Sequence, residues 1–554
     1  MSNHILAQEI AQLISNRIKA LCFNNNLRGA ILNAIKSMTP SLAMDIDAND
    51  DGTLFGISSE HFQISLSKIN EKEQRRKKDG VYYTPSDVVS VITANSLLNY
   101  ISDSCEHFLS CRMAHENINE LIKDSDKKDK LFRSRVFDPT CGTGEFLVET
   151  AERKIALLDS VTNSSILSVA KTIYGNDISS DSITIAKLRL FFVFVQYVDD
   201  VASIKKLSTI LNKNFTQNNF VDITNASFSK FDIILGNPPY VENRIVAYPI
   251  PTNYGNIYAN VIENSTKLLS RNGVMGFIIP LSYVSTKRME KIRERTDRYF
   301  DKSFVVNFAD RPDCLFNGVH QKLTILIGVR KSATKRLYTS SYVYWYKEER
   351  EMLFDSLSVV SAGFPTRYGI PKLGNDLEVS IFKKIIPQVG DKSIYSIADV
   401  ANDNAALTLW LNMRACFWMK AFTFNPGSNE YKPFRYNSEC MHYIHCLLNS
   451  SLFFFHWIAM SDCWHITTKE LAAFKVCDNF DYNIFKELSS ELEQKLESTK
   501  VYIGTKQSEY AYKHKCCKDV IDKIDDELAK MYGLTENELM YIKNYKLKYR
   551  LNDA

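Results

Sequence analysis

Phe231-Asp232-Ile233-Ile234-Leu235-Gly236-Asn237-Pro238-Pro239-Tyr240 is the stretch on which the fold turns. An apolar run with one early carboxylate reads as a buried parallel strand. It stops at Gly236 and at two prolines that cannot continue a ladder. An amide, a rigid corner and an aromatic ring are thereby left at the carboxyl end of a strand, where an open α/β sheet binds its ligands. The Asn237 side-chain carbonyl and the Pro238 backbone carbonyl can both accept hydrogen bonds from one exocyclic amine. Two acceptors on one amine draw its lone pair toward tetrahedral geometry, and the locked φ of proline fixes the second carbonyl's direction. Tyr240 offers a flat face to a planar ring. Asn-Pro-Pro also makes ordinary turns; its place after an apolar strand is what favours a site.

Working outward, Val136-Phe137-Asp138-Pro139-Thr140-Cys141-Gly142-Thr143-Gly144-Glu145-Phe146-Leu147 predicts a short strand, a Gly-x-Gly turn and a helix over 145–158. A dinucleotide fingerprint would place a third glycine at position 147, which is Leu147, so the turn points to a smaller adenosyl ligand. Ile173-Tyr174-Gly175-Asn176-Asp177 then ends a second strand in an acid able to take both ribose hydroxyls. Upstream, Gly80-Val81-Tyr82-Tyr83-Thr84-Pro85 leads into a helix predicted over 86–100, with Thr84 or Ser86 as its cap. Downstream, the chain loosens into a loop from Val241 to Ile257. A helix follows over 258–269, and apolar strands are predicted at 274–279, 304–308 and 323–329. Residues 1–70 read as mostly helical, with Asn25 to Gly29 breaking the pattern.

At 554 residues the chain exceeds one ordinary domain, and its 45% apolar, 24% charged composition is that of a globular protein. No apolar run approaches the ~20 residues needed to span a bilayer, and the first residues lack a signal-peptide core. The twelve cysteines include no CxxC and no metal-ligand spacing, which predicts free thiols in a reducing cytoplasm and no bound metal. Asp47, Asn49, Asp51 and Gly52 fall at calcium-loop spacing, but the closing glutamate position is Ser58, so an acidic surface turn is expected. Lys72 to Lys78 is a basic run that reads as a solvated helix end. The net charge of +4 permits a polyanionic partner without requiring one.

Taken together, the motifs resemble those of S-adenosylmethionine-dependent N6-adenine DNA methyltransferases of the gamma arrangement, as found in restriction–modification systems. The resemblance covers about residues 75–335. It implies an α/β fold: a Rossmann-like seven-stranded methyltransferase sheet at 76–335, an N-terminal helical segment at 1–75 and a separate C-terminal α+β target-recognition domain at 336–554. It implies S-adenosylmethionine as cofactor, held by Tyr83 and Thr84, by Asp138, Cys141, Gly142 and Gly144, by Asp177 and Ile178, and by Asn219 and Phe220. Asn219 stands where the family has Asp. Asn237, Pro238 and Tyr240 match the catalytic acceptors and stacking ring; Phe316 is a candidate second ring, with core packing an equal explanation. The partner implied is double-stranded DNA, with a flipped target base and a monomeric bacterial cytoplasmic enzyme; a separately encoded restriction endonuclease and a solitary role both stay open. Arg435, Tyr436, His465, Thr467 and Lys469 are candidate DNA contacts, although ordinary polar side chains facing solvent explain each of them equally. Protein glutamine transfer, N4-cytosine transfer and a catalytically inactive DNA-specificity role stay open at this point.

Overall fold

The structure, a computed structural model, describes residues 13–18, 25–39, 62–66, 83–223, 229–316, 318–331, 334–361, 368–398, 406–505 and 509–551. The acidic loop at 47–58, the basic run at 72–78 and Gly80 to Tyr82 lie outside these residues. The strands β1 (Val136–Asp138), β2 (Ile173–Asp177), β3 (Phe215–Gln217), β4 (Phe231–Gly236), β5 (Leu269–Pro280), β6 (Lys302–Phe308), β7 (Leu323–Val329), β8 (Arg336–Val343) and β9 (Val360–Ser361) form one sheet. Its order is β3-β2-β1-β4-β5-β7-β6-β8-β9. Strands β1 to β5 run parallel, and β7 is antiparallel to both neighbours. A seven-stranded sheet is expected, but among the described residues the sheet has nine strands: β8 pairs parallel with β6, and β9 closes on β8. Both added strands lie beyond residue 335.

The runs at β4 and β7 are buried on both faces because helices cover the sheet, which is why they read as unbroken apolar text. The helix Ser86–Ile101 lies on β4, β5 and β7, while Glu145–Ala156 and Ser180–Val195 cover β1 to β3. Gly276 in β5 lets the first of these come close: a Cβ there would stand 2.3 Å from Ser96 Oγ. Neither Thr84 nor Ser86 caps that helix; Pro85 occupies the cap position without a side-chain bond. Instead Asp87, in its first turn, takes the Arg350 guanidinium at 2.7 and 3.0 Å. Near the N-terminus, Asn25 to Gly29 does not break the helical pattern. It opens the helix Asn25–Met38, whose Ile31, Ala34, Ile35 and Met38 are buried at helical spacing and outweigh the single glycine.

Residues beyond 361 combine a small antiparallel sheet with helices. Strands β10 (Ala406–Asn412), β11 (Ala421–Phe422) and β12 (Tyr431–Asn437) pack under the first of two consecutive helices, Ser438–Asn449 and Ser451–Met460. The second of these is buried all round. One hydrophobic core runs from Ile14 through the sheet to Tyr545, so buried apolar contacts cross the boundary expected at residue 335. His456 lies in that core between Phe453 and Phe474, its Nε2 3.0 Å from the Glu470 carbonyl oxygen, and burial pulls its imidazole from 6.5 down to about 3. Between those two values the unfolded chain binds a proton that the folded chain refuses. Stability from this group is full above pH 6.5 and falls as pH drops toward 3, by about 1.4 kcal/mol per pH unit. A His456→Gln variant should show a shallower decline across that window in denaturant melts taken at stepped pH; parallel slopes would remove His456 as a source of acid sensitivity.

Candidate active site

Three strand ends meet at the carboxyl edge of the sheet. Asp138 closes β1, is 1% exposed, and accepts the Thr140 N–H at 3.0 Å. Burial pushes its carboxyl well above the usual range, against that hydrogen bond. Gly144 sits at φ +90 in the left-handed region, and a Cβ there would stand 3.1 Å from the Ala186 Cβ, so turn and packing both call for glycine. Above Gly142 the space is open, with no atom within 4 Å of a built Cβ. The Gly142 N–H donates to Asp177 Oδ2 at 2.9 Å and the Ser179 N–H to Oδ1 at 2.8 Å. Burial raises the Asp177 carboxyl, opposed by these backbone donors. Ile178, next in the chain, is 56% exposed. Cys141 is buried with its thiol pushed well up, which suits packing and not nucleophilic chemistry.

Two asparagines hold this edge together that sequence reasoning did not single out. Asn176, buried in β2, donates through Nδ2 to the carbonyls of Pro139 at 2.9 Å and Asn218 at 3.0 Å, and accepts from Thr216 at 2.9 Å. It clamps the glycine loop to the segment after β3. Asn264, on the helix Ile257–Leu268, donates to the carbonyls of Phe220 and Val221 at 2.9 and 3.0 Å. The signal for Asn176 was an amide inside an apolar strand; Asn264 gave none. Asn219 accepts the Val221 N–H at 3.0 Å through its side-chain oxygen, closing a turn. Phe220 is buried and packs on Phe137, ring centroids 5.8 Å apart.

The end of β4 abuts the end of β1. A Cβ at Gly236 would stand 2.7 Å from Asp138 Oδ1, so glycine alone lets the two ends meet. The next residue, Asn237, donates through Nδ2 to Thr84 Oγ1 at 3.0 Å, so the hydroxyl expected to cap a helix serves the amide of the Asn-Pro-Pro-Tyr motif. Pro238 is buried, and Tyr83 and Pro239 are half-buried. Tyr240 donates its hydroxyl to the Ile278 carbonyl at 3.0 Å, which fixes the ring, and burial holds the phenol well above its ordinary value. Beside it, the hydroxyls of Tyr258 and Ser282 lie 2.8 Å apart. Phe316 is not part of this group in the way the sequence suggested. It is 1% exposed within the core, its carbonyl taken by Val319 N–H at 2.9 Å, and it offers no open face for stacking.

The C-terminal candidates divide. Along β12, Arg435 points outward, whereas Tyr436 is buried on the opposite face, as the period of two requires. His465 is exposed with Nδ1 2.9 Å from Asp462 Oδ2. Thr467 caps the helix Thr468–Ala472 in a reciprocal box with Glu470. Lys469 turns inward, donating to the carbonyls of Ser285 at 2.5 Å and Met460 at 2.8 Å. Tyr436 and Lys469 are therefore spent on folding, and Arg435 and His465 remain at the surface.

Residues 171–313 match the family described as Eco57I restriction-modification methylase. The type II methyltransferase M.VspI of Vibrio sp. (strain 343) is 23% identical over 247 residues, which span 43% of this chain and 46% of that protein. The type II methyltransferase M.BstVI of Geobacillus stearothermophilus is 27% identical over 196 residues, 32% of this chain and 33% of that one. The chain thus spans less than half the length of these curated relatives. Among solved structures, the type IIL restriction-modification enzyme MmeI in complex with DNA shares the fold at a TM-score of 0.51 and 12% identity, over 93% of this chain and 84% of that one. S-adenosylmethionine is the cofactor of the matched methylase domain. The residues fit it: open space over Gly142, a strand-end carboxylate at Asp177 for a diol, and an exposed apolar face at Ile178 for a ring. Among the described residues no cluster of His, Cys, Asp and Glu could hold a metal ion, and no helix is long and apolar enough to cross a membrane.

Proposed function

We propose, from the Eco57I-type restriction-modification methylase domain that this chain carries, that the protein moves a methyl group from S-adenosylmethionine to the N6 amine of an adenine turned out of duplex DNA. The observation that carries the reading is the meeting of two strand ends: Gly236 admits Asp138 of the glycine-loop strand, and the next residue, Asn237, is held by Thr84. Bound cofactor supplies an electrophilic methyl on a sulfonium. Asp177, braced by the N–H groups of Gly142 and Ser179, would hold the ribose hydroxyls, and the exposed Ile178 would cover the adenine ring. The carbonyls of Asn237 and Pro238 accept the two hydrogens of the target amine and pull its lone pair out of conjugation with the ring. Tyr240, anchored through its hydroxyl, presents the face on which the base stacks. Stacking returns on the order of 1–3 kcal/mol against a flipping cost of roughly a few kcal/mol. In-line transfer asks for positioning more than for a strong base. In a restriction–modification pair the partner would be a separately encoded endonuclease acting on the same DNA site.

The test is transfer of tritiated methyl to bacterial genomic DNA that the enzyme has not modified, followed by separation of the nucleosides. Label in N6-methyladenine is the expected result. Label in N4-methylcytosine would keep the site and change the target base, and label in glutamine of a protein would move the substrate class. Cofactor binding without any transfer would point to a DNA-specificity role.

A further inference from the structure

The segment after Tyr240 is no loose connection. Its legs lie side by side, Glu242 bridged to Asn256, with the Asn243 N–H on the Gly255 carbonyl at 3.2 Å and the Ile257 N–H on the Val241 carbonyl at 2.9 Å. Asn253 Oδ1 accepts from Asn243 Nδ2 at 3.0 Å and the Gly255 N–H at 2.9 Å, while Asn260 Nδ2 donates to the Thr252 carbonyl at 2.7 Å. Beneath, Val241 and Ile257 pack with Val221, and Val246, Tyr248 and Ile250 close over them as a core of the loop's own. Pro249 and Pro251 stiffen it further. Every Val, Ile and Tyr of this loop is turned inward except one. Ile245 is 62% exposed, beside an exposed Arg244 whose guanidinium reaches back to Glu242 at 2.6 Å.

A single exposed apolar side chain on an ordinary surface needs no explanation. This one stands out on a loop that spends its other apolar residues on rigidity and that begins at Tyr240. Turning a base out of a duplex leaves a gap in the stack, and an apolar side chain driven into a base step is a physical way to hold such a gap open. We propose that Ile245 is that wedge, entering the stack at the place the target base vacates, with Arg244 set against a neighbouring phosphate. The inference rests on the DNA-methylation reading above and assigns the opening of the duplex to a residue outside the transfer site. A wedge acts only on a paired step, so its loss should matter on paired DNA and little where the target base is already unpaired.

The test uses the full chain, with Ile245→Ala and Ile245→Leu, on synthetic duplexes carrying the site mapped from DNA labelled by the parental protein. Single-turnover methylation is read with the target base either paired or opposite an abasic position. The expected result is a loss of about 10–100-fold for Ile245→Ala on the paired duplex, a change within about 3-fold on the unpaired one, and near-parental rates for Ile245→Leu on both. Cofactor affinity should stay parental throughout. Equal losses on both duplexes, or no loss on the paired one, would overturn the wedge and leave the methylation reading standing. A parental chain that labels no DNA would overturn both.

Discussion

Asn237→Ala should lower methyl transfer by roughly 10³-fold or more while leaving cofactor affinity within about 3-fold of the parental value. The asymmetry follows from where Asn237 sits. Its side-chain nitrogen is tied to Thr84 across the edge of the sheet, on the far side of the Gly236–Asp138 contact from the glycine loop. On the proposed reading, removing the amide takes away an acceptor for the target amine, and the Asp177 hydrogen bonds are untouched. An interaction of this kind lowers kcat and kcat/KM together. Single-turnover transfer at saturating cofactor, alongside calorimetric binding of S-adenosylmethionine and a melting curve to confirm folding, checks it. A variant that transfers at the parental rate would strip Asn237 of its catalytic role.

Asp177→Ala should do the reverse. The carboxylate holds the Gly142 and Ser179 N–H groups, and in the proposed site it also takes the ribose. Hydrogen bonds to a charged group are worth about 1.5–3 kcal/mol each, so a net loss equal to one of them should lower affinity by roughly 10–150-fold, with transfer largely recovered at high cofactor concentration. Asp177→Asn, which keeps an acceptor for one of the two N–H groups, should lose less. Because burial raises this carboxyl above the usual Asp range, cofactor affinity should begin to decline on acidification before an exposed aspartate would protonate. Titrating affinity against pH for the parental chain and Asp177→Asn separates the two contributions. An Asp177→Ala chain with parental affinity and a depressed maximal rate would mean that the acid serves the reaction instead of the cofactor.

What the sequence revealed, and what it did not, divides by how local the information is. The ends of β1, β2 and β4 were legible because each is written in consecutive residues: an apolar run, then glycine or proline, then a polar group. Asn264 was not, since its purpose is to hold carbonyls of residues 220 and 221 from a helix on the other side of β4. The loop from Val241 to Ile257 looked loose because its fastening is done by side-chain amides, which in a sequence are indistinguishable from solvent-facing polarity. Phe316 had two equal explanations in the sequence, stacking ring or core residue, and its burial favours the second. Along β12 the alternation of Phe434 and Tyr436 against Arg435 was available in the text. Applied there, the period of two would have turned Tyr436 inward from the start.

The two strands beyond residue 335 bear on protein engineering. A chimaera intended to bring in a different C-terminal region would naturally be joined where the methyltransferase motifs end, just after β7. Such a cut removes β8 and leaves β6 with a bare row of backbone donors and acceptors, the kind of edge that recruits strands from other molecules. A junction placed after Ser361 keeps all nine strands and the Arg350–Asp87 pair with the parental chain. The incoming partner must then supply its own cover for β8, since in the native chain the helix Ser451–Met460 packs there. Graft libraries cut at the two places should therefore differ in soluble yield before any question of sequence preference is asked.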